Sequence, residues 1–173
     1  MWDPSGIRPA FYFDDEEIVV VASERPVIQT ALNIGDDQVH ELKPAHALII
    51  KKSGEVSECR FIETRKKKAC SFERIYFSRG TDVDIYQERK LLGRSLAPQV
   101  LEAVDYNLKD TVLSYIPNTA SVAFRGLVDG VFGFCDKVRK DKIQQLGRSP
   151  DPKLIEEILS IKPRVEHVAV KDV

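Results

Sequence analysis

The segment best suited to bind a ligand is a tight turn in the second half of the chain. The apolar run 111–116 ends at Pro117, and Asn118 and Thr119 then precede a long stretch that we expect to be helical. A strand that enters a tight turn and then a helix directs several backbone N–H groups at one point, which can bind phosphate or pyrophosphate without a charged side chain. The alternative is structural, because a threonine at this position can cap the following helix.

The cysteines and histidines do not form a recognisable catalytic or metal-binding set. Cys59, Cys70 and Cys135 are odd in number and irregularly spaced, which argues against a disulfide framework and favours a reducing cytoplasm. The histidines lack the spacing of a zinc site and are expected at the surface or partly packed: His40, His46 and His167. The spacing of these residues therefore predicts neither a metal centre nor a catalytic residue.

Short strands and one helix should form the first third of the chain. Strands are expected at 10–13, 18–21, 47–51 and 56–62, and a helix over 24–34. The first two strands flank the acidic turn 14–17, and the last two flank Ser53-Gly54, which is typical of a hairpin turn. Gly35 should end the helix. Strands this short are typical of an antiparallel sheet.

Helices and strands alternate in the rest of the chain. Strands are expected over 72–77, 111–116 and 165–170, and helices over 84–96, over 120–146 and from 152 onward. Pro98 should kink the first of these helices or force it to restart. Gly126, Gly130 and Gly133 share one face of the second helix, so we expect a break near them, although such a face could also pack closely. Asp151 should cap the last helix.

Composition excludes several classes of protein. The chain has 173 residues and a formal net charge of −1, which argues against a dedicated nucleic-acid binder. No apolar run approaches the ~20 residues of a membrane helix, and no leader pattern is visible. The basic run 65–68 is expected to be a solvated linker rather than an anion site. We therefore expect a soluble cytoplasmic protein of mixed helix and sheet, without a nucleic-acid or membrane partner.

Four segments in a fixed order carry a resemblance to a known family. They are Asp3-Pro4-Ser5-Gly6-Ile7-Arg8-Pro9 with Val21-Ala22-Ser23-Glu24, Cys70-Ser71-Phe72-Glu73-Arg74-Ile75-Tyr76-Phe77-Ser78-Arg79, Asp84-Ile85-Tyr86-Gln87-Glu88-Arg89, and Tyr115-Ile116-Pro117-Asn118-Thr119-Ala120. Together they resemble the glutamine phosphoribosylpyrophosphate amidotransferases (amidophosphoribosyltransferases), which join a class II glutaminase domain to a type I phosphoribosyltransferase domain. The resemblance covers roughly residues 3–127.

The resemblance implies an α+β part followed by an α/β part, both incomplete. Residues 1–66 would be the C-terminal half of an N-terminal-nucleophile glutaminase sheet layer, and 67–173 the first part of a phosphoribosyltransferase α/β domain. The family uses an N-terminal cysteine as nucleophile, whereas the first cysteine here is Cys59. The acidic phosphate loop of the family, of the type V-[VI]-D-D-S-[IL]-V-R-G-T-T, does not occur before Val173. We therefore expect an inactive fragment of a bifunctional enzyme, without a catalytic residue of its own.

The resemblance also implies the activity, ligands and partners of the parent enzyme. That enzyme is a glycosyltransferase of purine synthesis, which transfers glutamine-derived ammonia to phosphoribosylpyrophosphate and should be a homo-oligomer. Asn118 and Thr119 would lie in its pyrophosphate-binding turn. The parent would use magnesium, although Ala120 stands where many relatives carry a serine that helps to hold the ion. Some relatives hold an iron–sulfur cluster with a cysteine at the position of Cys70, but this chain alone should carry a plain thiol there.

A different class of function remains open. A non-catalytic adaptor or regulatory domain could keep the amidotransferase scaffold without its active sites. A stand-alone nucleotide-binding protein is disfavoured, because the chain has no Gly-rich phosphate loop of the type G-x-x-x-x-G-K-[ST].

Overall fold

The chain folds into two compact units that both combine helices with small sheets. The computed structural model describes residues 1–147 and 149–170, and the units are Met1–Ile85 and the chain from Tyr86 onward. The chain begins with strands β1 (Phe11–Asp14) and β2 (Val19–Ala22), helix α1 (Arg25–Leu32), and strands β3 (His40–Glu41), β4 (His46–Ile50) and β5 (Val56–Arg60). It continues with helix α2 (Val83–Ala103), strand β6 (Val112–Leu113), helices α3 (Ser121–Gln144) and α4 (Pro152–Leu159), and strand β7 (Arg164–Val165). A 3₁₀ turn at Asp36–Gln38 and a π-helical turn at Glu73–Phe77 complete the list.

The first unit contains a three-stranded sheet and a hairpin. β1 lies between β2 and β3 and pairs with both in the antiparallel direction. Apolar residues of β1 and α1 meet at a small core of Phe13, Ile28 and Val39. β4 and β5 form the hairpin, and Gly54 in its turn has φ +89°, a conformation that suits glycine. The structure confirms the four predicted strands and the hairpin.

Two predicted details of the first unit are wrong. Helix α1 ends before Gly35, because Asn33 adopts the left-handed conformation (φ 53°) and its N–H donates to the carbonyl of Gln29. The expected strand over 72–77 is helical, with the N–H of Ser78 donating to the carbonyl of Glu73 at 2.8 Å. Its aromatic rings contact one another at centroid distances of 5.3–5.8 Å instead of joining a sheet: Phe72, Tyr76 and Phe77. Their strand preference depends on packing partners that this segment does not have.

The basic run 65–68 lies inside the first unit rather than between the units. The segment follows the N-terminal turn through backbone N–H donors at Arg65, Lys68 and Cys70, which bond the carbonyls of Pro4, Ser5 and Ile7 at 2.8–3.0 Å. Lys67 also forms an ion pair with Glu41 at 3.6 Å. The division between compact units comes at 85/86, later than the predicted domain boundary at 66/67. That boundary, which concerns family domains, stays a prediction.

Helix α2 continues through Pro98 without ending, so the expected restart is wrong. Its buried positions recur every fourth residue, at Ile85, Arg89, Gly93, Ala97 and Leu101, whereas Pro98 is exposed. Burial of the opposite face therefore holds the helix together across a residue that disfavours it, as tertiary packing commonly does.

Helix α3 is also continuous over 24 residues, so the break expected near its glycines does not occur. The alternative of close packing is confirmed for two of them. A Cβ atom added at Gly126 would lie 1.9 Å from the carbonyl oxygen of Lys90, and one at Gly130 would lie 2.6 Å from the Cβ of Ala97. Gly133 has no such neighbour within 4 Å. Helix α2 packs where the first two glycines leave room.

The remaining elements of the second unit are short. Asp151 caps α4 as predicted, since its side chain accepts from the N–H of Lys153 at 3.0 Å. β6 and β7 form a parallel pair of two residues each, much shorter than the expected runs 111–116 and 165–170. The core of the unit is formed by Ala97, Leu101, Leu108, Leu113, Val131 and Cys135. In the described part of the chain, no helix is both long and apolar enough to cross a membrane.

Candidate functional site

The turn predicted to bind an anion lies between β6 and α3. Residues 117–120 form it, with a cis peptide bond between Pro117 and Asn118, and the N–H of Ser121 donates to the carbonyl of Asn118 at 3.2 Å. Asn118 and Thr119 are both exposed, and neither side chain forms a hydrogen bond with another described residue. The structure thus brings both predicted site residues to the N-terminal end of α3, where their side chains have no hydrogen-bond partner among the described residues.

Thr119 does not cap the helix, contrary to that alternative. The helix begins at Ser121, so the capping position falls on Ala120, which has a helical backbone (φ −73°, ψ −9°). No side chain accepts a hydrogen bond from the first turn. The physical reason is the turn itself. Its hydrogen bond from Ser121 to Asn118 keeps Thr119 and Ala120 within the turn, so the helix begins at Ser121 and Thr119 lies one residue before the capping position.

The electrostatics of this helix end favour an anion. The first backbone N–H groups of a helix have no intrahelical partner, and the aligned peptide dipoles place about half a positive charge there. The first turn of α3 contains no acidic residue that would compensate this charge. An anion at the turn would therefore find N–H donors, the Asn118 amide and the Thr119 hydroxyl together.

A cavity of about 330 Å³ adjoins the first two turns of α3. Two rings form one wall, since the centroids of Tyr115 and Phe124 lie 4.9 Å apart, and His167 packs edge-on against Tyr115 at 5.6 Å. Arg125 also lines the cavity and forms no ion pair with another described residue. The cavity thus offers aromatic surface and positive charge beside the turn.

Ion pairs of the first unit join segments that are far apart in sequence. Arg8 donates to Glu73 at 2.6 Å, and the carboxylate of Glu73 is almost completely buried. Arg79 donates to Glu24 at 2.9 Å. Each pair links one early segment of the resemblance to the Cys70–Arg79 segment. These charged residues therefore act as structural ties, a role that sequence reasoning missed because nothing in the spacing pairs them.

A second cavity, of about 170 Å³, lies in the first unit beside these ties. Cys70 lines it half-buried, together with Lys67 and Glu73. Arg25 lines it too and is held by Asp82 and Asp84 at 2.9–3.0 Å. The charged groups of this wall, four basic and five acidic, nearly balance one another, so the cavity offers no positive excess for an anion.

The described residues do not supply a metal site. Among them, no group of three or more histidine, cysteine, aspartate and glutamate side chains is placed to hold a metal ion. Among these residues, Cys70 is therefore not part of a group that could ligate an iron–sulfur cluster, and the predicted plain thiol stays a prediction. At the turn 117–120, the side chain of Ala120 offers no oxygen for magnesium. We therefore assign no chemical step in this chain to an iron–sulfur cluster or to magnesium.

Comparison with known proteins supports the resemblance in a coarse form. The chain is 26% identical over 128 residues, or 72% of its length, to an amidophosphoribosyltransferase of Archaeoglobus fulgidus. It spans about a quarter (26%) of the length of that protein. No family model matches the chain. The chain is thus similar to part of a transferase, and the details of domain and site rest on the proposal below.

Proposed function

We propose that the chain is a part of an amidophosphoribosyltransferase of purine biosynthesis. The parent enzyme would transfer ammonia from glutamine to phosphoribosylpyrophosphate, giving phosphoribosylamine and releasing pyrophosphate. Residues 1–66 would close the class II glutaminase domain, and residues from 67 onward would begin the phosphoribosyltransferase domain. The similarity to a protein of that name over 128 residues supports this reading.

Within that enzyme, the turn at 117–120 would bind the pyrophosphate group. The observation that carries this proposal is the combination of the N-terminus of a 24-residue helix with two exposed polar side chains that have no partner among the described residues. In such a transfer, charge stabilisation and alignment of the leaving group dominate the catalysis. Asn118 and Thr119 would therefore hold the leaving group rather than react.

Pyrophosphate itself is the probe for this turn. In a titration followed by amide chemical shifts, the N–H signals of residues 118–123 should move, and the signals around the capped N-terminus of α4 should not. Thr119→Val keeps the shape but removes the hydroxyl, and should weaken binding by about fivefold, the value of one hydrogen bond. Equal shifts at both helix ends, or none at 118–123, would contradict the proposal.

The catalytic part of the proposal has a separate test. The 173-residue chain should release no ammonia from glutamine and form no phosphoribosylamine, because it has neither the N-terminal cysteine nor the acidic phosphate loop. Glutaminase activity in this chain that disappears when one of its three cysteines is replaced would refute this expectation.

A further inference from the structure

The crossing of α2 and α3 is closest at the first turn of α3. A Cβ atom placed on Gly93 would lie 1.6 Å from the carbonyl oxygen of Ala123, and one on Gly126 would lie 1.9 Å from that of Lys90. Both contacts are with backbone atoms, which cannot rotate away as a side chain can. The contact at Gly130, farther along α3, is with the side chain of Ala97 at 2.6 Å. The nearest backbone atom at Gly130, the carbonyl oxygen of Arg94, would lie 3.2 Å from the added Cβ atom. The closest backbone contacts of the crossing therefore lie at the end that carries the turn.

The first turn of α3 is also restrained from the side of β6. The ring of Phe124 packs on Tyr115, the residue that leads into the turn, and the N–H of Phe124 donates to the carbonyl of Ala120 at 2.8 Å. An ion pair between Lys90 and Asp129 at 2.9 Å spans the two helices close to the crossing. The N-terminal end of α3 is thus held between α2 on one side and the chain that enters the turn on the other.

We propose that Gly93 is a positioning residue for the anion-binding turn. This inference rests on the proposed function of that turn. Ala123 is the third residue of α3, so a shift of its carbonyl displaces the first turn of the helix, whose N–H groups would face the anion. A methyl group at Gly93 would require the helices to separate by more than 1 Å to reach an ordinary contact distance. The donor–acceptor distances of hydrogen bonds to an anion vary by only a few tenths of an ångström. After such a separation, the N–H groups would no longer all reach the same anion.

Three alanine variants separate positioning from stability. Gly93→Ala and Gly130→Ala both crowd the helix crossing and should both lower the melting temperature. Only Gly93→Ala should shift the amide signals of residues 118–123 and weaken pyrophosphate binding, by about tenfold or more. Gly130→Ala should keep the affinity within twofold of the original chain. Gly133→Ala, which meets nothing within 4 Å, is the control for helix propensity. It should raise the melting temperature slightly and change neither the amide signals of residues 118–123 nor the affinity for pyrophosphate.

The outcomes distinguish this inference from the proposed function. Folded Gly93→Ala with unchanged affinity, or an equal loss in Gly130→Ala, would overturn the positioning role. If Gly93→Ala does not fold, Phe124→Leu relaxes the opposite restraint and should weaken pyrophosphate in the same direction; unchanged affinity would again overturn it. If the original chain does not bind pyrophosphate, the proposed function fails. Gly93→Ala must then still alter hydrogen exchange at 118–123 more than Gly130→Ala does, or the positioning role fails as well.

Discussion

Asp82 should be one of the residues on which the stability of the first unit depends most. Its side chain is only 8% exposed and accepts four hydrogen bonds. Two come from the guanidinium of Arg25 at 2.9 and 3.0 Å, and two come from the backbone N–H groups of Asp84 and Ile85 in the first turn of α2. Burial by itself would lower the pKa of Arg25, but its hydrogen bonds to Asp84 and Asp82 raise that pKa above its ordinary value. The Arg25 guanidinium is therefore charged at neutral pH.

The expected cost of removing this carboxylate follows from its two roles. Loss of a helix cap costs about 1 kcal/mol. Breaking a buried ion pair costs about 3–5 kcal/mol. The cost should be smaller here, about 2 kcal/mol, because Arg25 is 19% exposed and keeps its ion pair with Asp84. Asp82→Ala should therefore lower the free energy of unfolding by about 3 kcal/mol, and Asp82→Asn, whose amide oxygen can still cap the helix, by about 2 kcal/mol.

Urea unfolding, followed by circular dichroism, measures both values. With a slope of about 1–3 kcal/mol per molar urea, Asp82→Ala should lower the midpoint by at least about 1 M. The double variant Arg25→Gln with Asp82→Asn should lose less than the sum of the single losses, because the two side chains share one interaction. Lys51→Gln breaks an ion pair with Glu55 that is more than half exposed on both sides, and should change little. A loss below about 1 kcal/mol for Asp82→Ala, or strict additivity, would refute the reasoning.

Three other measurements test local features of both units. Gly133→Ala should raise the free energy of unfolding by about 0.5–1 kcal/mol, because it adds helix propensity where nothing crowds the new methyl group, and chemical denaturation would show it. Ellman's reagent should label exposed Cys59 in the native chain but reach Cys135 only after unfolding, since Cys135 is completely buried and burial raises its pKa. The backbone N–H groups of Ile18 and its predecessor lower the pKa of Asp15. The stabilisation of the folded state by the Asp15 carboxylate should thus be present above the unfolded pKa of about 3.9 and be lost as the pH falls through the lower folded pKa. The carboxyl chemical shift of Asp15, followed against pH, would show it.

The sequence predicted structure where the signal was local. The strands around the acidic turn 14–17 and the hairpin at Gly54 depend on neighbouring residues, and both are present. The same holds for the Asp151 cap. Predictions failed where distant packing decides. The restart predicted at Pro98 does not occur, because burial of the opposite face holds α2 together. The aromatic segment 72–77 is helical, because it lacks the packing partners on which its strand preference depends.

The candidate site shows the same division between local and distant information. The sequence placed Asn118 and Thr119 in a turn before a helix, and the structure puts them there. It could not show that Thr119 leaves the capping position to Ala120, because that depends on how the turn closes on Ser121. Nor could spacing alone indicate that Gly93 meets Ala123, since the two residues belong to different helices.

The residues that carry the family resemblance divide by whether their polar groups have partners. In the first unit, Arg8 forms an ion pair with Glu73, and Arg79 forms one with Glu24. These charges therefore have partners within the protein. In the second unit, the polar side chain of Thr119 has no partner among the described residues and faces solvent beside a helix end that favours anions. A free polar group costs nothing at an exposed turn, whereas a buried one must be paired. The charged pairs of the first unit, including Arg25 with Asp82, should thus govern stability, and the turn should govern ligand binding. We therefore expect Asp82→Ala to change unfolding without affecting the binding of pyrophosphate, and Thr119→Val to do the reverse.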